Sequence, residues 1–268
     1  MAKRPKGIFM DVPDFKTMRE IIEFGHIRGK DQKQYVYLET AKKERVKSFN
    51  EVWYDTTGLG QFLQKHGMKG KKVAILSDNS YYWIACFYSI LTGKFPAIPI
   101  EAKLMDDDII DIMVRSKCDA IYYSDDFAGT IEKMKKADGV CVSLYMKIAD
   151  FYDMIAEGHA DLDAGSECYL DDAPTPDDIA SIVFTSGTTG KSKGVMLSHY
   201  NVASDVCACF QVNTGSHALG FLPLNHTFCW VGALFSGYLL AEWGYICDGI
   251  KNIQRDMQKY HPENFSAV

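Results

Sequence analysis

Two hydrophobic patterns alternate along this chain. Nearly unbroken apolar runs at residues 35–38, 73–76, 97–100, 120–123, 140–144 and 179–184 predict strands. Between them, apolar residues recur at helical spacing. Met18, Ile21, Ile22 and Phe24 predict a first helix, with Asp14 as its cap. Ser48-Phe-Asn-Glu51 has the form of a capping box, and Val52, Thr56, Leu59 and Leu63 continue it as a helix that Gly67 can end. A helix opening at Asn79 runs through Trp83, Cys86, Phe87 and Ile90, and another opens at Asp106 or Asp107. Beyond 179–184 come a turn, a short apolar stretch at 195–197 and a helix from Ser198. Strands at 218–222 and 244–247 and a helix at 252–260 follow. Apolar strands alternating with helices predict an α/β fold of layered αβα units, its mostly parallel sheets covered on both faces.

The segment 161–178 breaks the pattern. It carries seven acidic residues, no basic ones, and Pro174 and Pro176, and it predicts a solvated loop or linker. The expected organisation is residues 1–57 as an N-terminal helix, a strand and the start of the capping-box helix. Residues 58–205 then form one αβα unit, and 206–268 a partial second unit to which the strand at 35–38 crosses over.

Composition narrows the class. With 29 Lys+Arg against 35 Asp+Glu, the net charge of −6 gives no global basic footprint for nucleic acid. Eight cysteines in 268 residues are too sparse for a disulfide scaffold and form no C-x-x-C pair, so reduced thiols in a cytoplasmic protein are expected. The first ten residues lack the apolar run of a signal peptide. The uncharged stretch at 227–241 rises only about 22 Å as a helix, short of a bilayer core of about 30 Å, and predicts a buried helix.

The candidate chemistry lies in Thr185-Ser-Gly-Thr-Thr-Gly190-Lys-Ser-Lys-Gly194, just after a predicted strand. Its glycines allow amides to approach a ligand closely, four hydroxyls add donors, and Lys191 and Lys193 add charge, which suits a polyphosphate. By composition alone, a flexible Gly/Thr/Ser hairpin with solvated lysines fits equally. A Walker A loop does not fit: it needs glycine five positions before Gly190, where Thr185 stands.

The order of these residues resembles the phosphate-loop signature of the adenylate-forming superfamily, which holds acyl-CoA synthetases, luciferases and adenylation domains. Eight fixed positions make a chance match on the order of 10⁻⁷. Ser192 departs from the pattern, which usually has proline there and so a stiffer loop. Val195-Met-Leu-Ser-His199 and Asn201 continue the resemblance, and Phe221-Leu-Pro-Leu-Asn-His226 is similar to the second core motif. The flanking segments resemble long-chain fatty acyl-CoA synthetases most.

The resemblance implies an ATP-dependent ligase that activates a carboxylic acid, first of all a fatty acid, as acyl-AMP and passes it to coenzyme A. Thr185, Ser186, Gly187, Thr188, Thr189 and Gly190 would hold the ATP phosphates. Lys193 would donate charge, Thr185 would help ligate Mg²⁺, and His226 would line the adenylate site. His199 reads as a capping or packing residue. The family's adenine, ribose and hinge segments and its C-terminal lysine are not found before Val268. This implies a truncated N-terminal domain, inactive by itself and open to self-association at a cut sheet edge. Small-molecule substrates are expected, with neither nucleic acid nor a transmembrane segment. An amino-acid or aryl-acid adenylation module, and a non-catalytic nucleotide-binding module, are the rival readings.

Overall fold

A computed structural model describes residues 13–40, 42–185, 192–210, 217–235, 243–247 and 249–265. In chain order the elements begin with α1 (Met18–Gly29), β1 (Lys33–Thr40), β2 (Lys43–Ser48), α2 (Phe49–Lys65) and β3 (Val73–Leu76). Next come α3 (Tyr81–Leu91), β4 (Ala97–Pro99), α4 (Asp106–Ser116), β5 (Ala120–Tyr123), α5 (Ala128–Met134), β6 (Leu144–Lys147) and α6 (Phe151–Asp163). β7 (Ile179–Thr185), β8 (Lys193–Ser198), α7 (His199–Phe210) and β9 (His217–Gly220) follow. Then α8 starts at Thr227–Cys229 and continues as a π-helical stretch, Trp230–Phe235. β10 (Trp243–Ile246), α9 (Ile253–Tyr260) and β11 (Asn264–Phe265) close the described chain.

Two sheets result. The first runs β6-β5-β3-β4-β7-β8, parallel except for β8, and the second runs β11-β9-β10-β1-β2, parallel except for β2. The expected α/β architecture with mostly parallel sheets is what the chain adopts, and β1 does cross over to pair with β10. The layering follows from which face each strand residue takes. In β3, Val73 and Ile75 join the central core, while Ala74 and Leu76 join a second core under α4 and α5. Both faces are buried, which is why these strands are continuously apolar. In the second sheet Tyr35, Tyr37 and Ile246 face the central core, whereas Val36, Leu219 and Tyr245 face outward onto α9.

Local chemistry sets the helix ends. Ser48 and Glu51 form the expected capping box. The first helix is instead capped by Thr17, whose hydroxyl accepts from the Glu20 amide while Glu20 accepts from the Thr17 amide. Asp14 pairs with Lys16 at 2.6 Å, so the cap lies three residues beyond the expected one. Ser80 rather than Asn79 caps α3. The strand expected at 140–144 lies at Leu144–Lys147, where its register with β5 runs from Ala120↔Leu144 to Tyr123↔Lys147.

The acidic segment at 161–178 is not simply a solvated loop. α6 runs into it, and Tyr169 is buried with its amide donating to Gln61 Oε1 at 3.0 Å and its hydroxyl 3.0 Å from Thr92 Oγ1. α2 and α6 cross at glycines: a Cβ on Gly158 would lie 1.9 Å from the Gly58 carbonyl. Among the described residues no helix is long and apolar enough to cross a membrane, and α8 buries Cys229, Trp230 and Val231 while leaving Phe228 exposed.

Candidate functional site

In open parallel sheets, ligands bind where strands end at their carboxyl edge. β4 and β7 run parallel with Ala97 opposite Ser181, so both leave the first sheet on the same edge as β3. A crevice of about 550 Å³ opens there, lined by Ser77 to Asn79 after β3, Glu101 to Lys103 after β4, and Phe221, Pro223 and Asn225 after β9. Its volume is in the range of a small-molecule site.

Thr185 and Lys193 form the last cross-strand pair of the β7–β8 hairpin, and both are exposed. Strand pairing therefore brings the two ends of the candidate phosphate loop together. Ser186, Gly187, Thr188, Thr189, Gly190 and Lys191 lie outside the described residues. The hairpin base is held from below. Arg115 on α4 donates from Nη1 to the Ser192 carbonyl at 2.6 Å and from Nη2 to Ser192 Oγ at 2.9 Å. Asp111, one turn earlier on the helix, orients the guanidinium at 2.6 to 2.7 Å, and Phe184 lies beneath it. Gly194 faces Phe184, whose ring would meet any Cβ there at 3.2 Å. Serine at 192 thus brings a side chain that Arg115 grips.

The second motif is held by Asn79. Its Nδ2 donates to the Leu222 carbonyl at 2.7 Å, and its Oδ1 accepts from the Leu224 amide at 2.9 Å. One side chain after β3 thereby fixes the segment leading to His226. His226 is exposed and precedes α8, its carbonyl accepting from the Cys229 and Trp230 amides. The geometry gathers the hairpin and the segment leading to His226 along one edge, but no contact joins the side chains of Thr185, Lys193 and His226 among the described residues.

His199 is buried, as a packing residue is. Its Nδ1 accepts from the Met18 amide at 3.3 Å, tying α7 to α1. Burial pushes its pKa down to about 4, with Asp178 opposing.

Sequence reasoning missed three groups. Arg115 carried only an i,i+4 pairing signal with Asp111. Asn79 carries only the local signal of a helix start. Asp55 is buried on α2 with its carboxylate 2.6 Å from Lys47 Nζ and bonded by the Tyr81 hydroxyl. Burial raises its pKa against both partners.

The family described as AMP-binding enzyme matches residues 27–268. The chain belongs to that family. Among the chain's relatives, a methyl-dioxo-octahydroindenyl-propanoyl:CoA ligase of Rhodococcus jostii is 29% identical over 59% of the chain and 34% of its own length. The peroxisomal long chain acyl-CoA synthetase 6 of Arabidopsis thaliana is 24% identical over 97% of the chain and 40% of its own length. The fatty acyl-adenylate ligase structure from L. pneumophila, in complex with acyl adenylate and pyrophosphate, superposes with a TM-score of 0.75 at 17% identity, over 94% of this chain and 44% of that one. At that identity the likeness shows the fold alone. The chain spans less than half the length of each of these proteins.

Proposed function

We propose that this chain belongs to an ATP-dependent acid–thiol ligase that activates a carboxylic acid of the fatty-acid type. A carboxylate oxygen attacks the α-phosphorus of ATP, the bond to the β-phosphate breaks, and pyrophosphate leaves. The thiol of coenzyme A then attacks the acyl carbonyl, and AMP departs. Holding the β- and γ-phosphates in line with the attacking oxygen is the main task of the protein.

We assign the phosphates to Thr185 through Gly190, with Lys193 donating charge to the departing pyrophosphate and His226 at the adenylate. The observation that carries this reading is the pairing of Thr185 with Lys193 on the carboxyl edge of a parallel sheet beside the crevice. The names of the relatives support acyl-CoA ligation, and those named as long-chain-fatty-acid–CoA ligases favour a fatty acid. The Rhodococcus name shows that ring ketones occur in the acid of one relative. Among the described residues no cluster of three metal-ligating side chains occurs. Thr185 would offer Mg²⁺ one hydroxyl, and none of the steps above runs through the ion.

In the full-length protein, Lys193→Met lowers single-turnover formation of acyl-AMP by about 10²–10³-fold. An unchanged rate with unchanged ATP affinity removes Lys193 from the mechanism. ATP binding with no acid-dependent pyrophosphate exchange, across fatty, aryl and amino acids, overturns the ligase reading in favour of a nucleotide-binding module.

A further inference from the structure

The inner face of the second sheet is carved out. Along β9 and β10 the outward positions Leu219 and Tyr245 are large, but the inward positions Ala218, Gly220 and Gly244 are small. Neither glycine is demanded by its backbone or by crowding. A Cβ on Gly220 would come no closer than 3.6 Å to another atom, and one on Gly244 no closer than 3.8 Å. Glycine inside a strand costs stability, and it often marks a place where a ligand comes close to the backbone.

The space left is a cavity of about 50 Å³, closed on its other side by Ile84, Leu224 and Cys229. That volume admits a ligand group of a few atoms, or about three waters. Asn79 lines both this cavity and the crevice, so the two adjoin. Tyr35 lies opposite Gly244, which places Gln34 at the amino ends of β1, β9 and β10, about 10 Å below the crevice rim.

Gln34 is 1% exposed and lines the cavity. It sits where the β1–β2 register slips, between Lys33↔Ser48 and Tyr35↔Lys47, and such a bulge re-aims a side chain. Among the described residues, neither its Oε1 nor its Nε2 has a hydrogen-bond partner. The Tyr35 hydroxyl lies beside the amide, but its hydrogen bond is made with the Tyr88 hydroxyl at 2.6 Å. A buried amide with both its donor and its acceptor unmet calls for a partner.

We propose that the cavity takes a small oxygen-bearing group of the acid, the rest of which lies toward the crevice, and that Gln34 thereby selects acids bearing an oxo or hydroxyl group remote from the carboxyl. This rests on the acid-activating reading above. A neutral oxygen is the match because, among the described residues, no charged side chain lines the cavity to offset a second carboxylate. A plain alkyl chain leaves the amide unmet, and a site built to bond a substrate hydroxyl or carbonyl rejects the analogue that lacks it.

The test uses the full-length protein and acid-dependent pyrophosphate exchange. Oxo- and hydroxy-acids from octanoic to hexadecanoic are compared with the unsubstituted acid of the same length. The best oxygenated acid is favoured by about 10–100-fold in kcat/KM, and Gln34→Leu collapses that ratio to within about threefold. Without any acid, Gln34→Leu raises Tm by about 2–4 °C, because an unmet amide is replaced by an apolar group. A ratio near one in the native protein, or a ratio that survives Gln34→Leu, overturns the proposal. So does a fall in Tm, which marks an amide already satisfied by water. Activation of no acid at all sinks the ligase reading instead, and the Tm comparison still decides whether Gln34 waits for a partner.

Discussion

At the scale of single residues, burial decides which histidine reports on folding and which is free for chemistry. His199 is held neutral between α7 and α1, with its pKa near 4 against 6.5 in the unfolded chain. Between those values the unfolded state binds more protons. The contribution is fully present above about pH 6.5 and is lost as pH falls toward 4. It amounts to about 3 kcal/mol in all. Urea unfolding across this window should show that slope, and His199→Gln should flatten it. A slope that persists in the variant assigns the effect to other groups. His226 is exposed and follows Asn225 of the crevice wall.

Elements carry the next set of constraints. The crossing of α2 and α6 works only because Gly158 has no side chain. Gly158→Ala should lower stability by about 3 kcal/mol or more, read as a lower urea midpoint at unchanged slope. Gly129→Ala on α5 meets nothing within 4 Å and should raise stability by about 0.5–1 kcal/mol. Equal effects at the two sites would contradict the packing argument. For the hairpin, Arg115 does what a stiff residue at 192 would do: it limits the conformations of the loop base before ligand arrives. Arg115→Ala should raise KM for ATP about threefold to tenfold, because binding must then order that base. Its Tm should barely move, since surface ion pairs contribute little. A large Tm loss with unchanged KM would make Arg115 purely structural.

For the whole molecule, the decisive contact joins the two sheets across the crevice. Asn79 follows β3 of the first sheet, while Leu222 and Leu224 follow β9 of the second, so two hydrogen bonds set the spacing of the site. Asn79→Ala should cost about 1–3 kcal/mol, because the Leu224 amide loses its partner. Amide exchange should quicken at residues 218–224 and stay slow in β3 and β5. Uniform acceleration through both sheets would mean that the contact is not a local link. Much of this architecture was legible beforehand. Continuous apolar runs report strands buried on both faces, the Ser48–Glu51 box reports a helix start, and the order of residue types from 185 to 194 reports the AMP-binding family, because each is a short-range signal written in consecutive residues. The strand at 144–147 and the Thr17 cap were misplaced by a few residues, since neighbouring residues offer nearly the same local signal and only pairing or packing chooses. The acidic segment at 161–178 is largely exposed as expected, but it also buries Tyr169 through Gln61, a contact 108 residues away that no local pattern shows. Asn79, the Arg115 grip on Ser192 and the unmet Gln34 amide were invisible for the same reason. The sequence by itself determined the family, the α/β class and the loop between β7 and β8. Only the tertiary structure decided which distant side chains hold that loop, space the crevice and line the cavity behind it, because those partners meet through folding and not through adjacency in the chain.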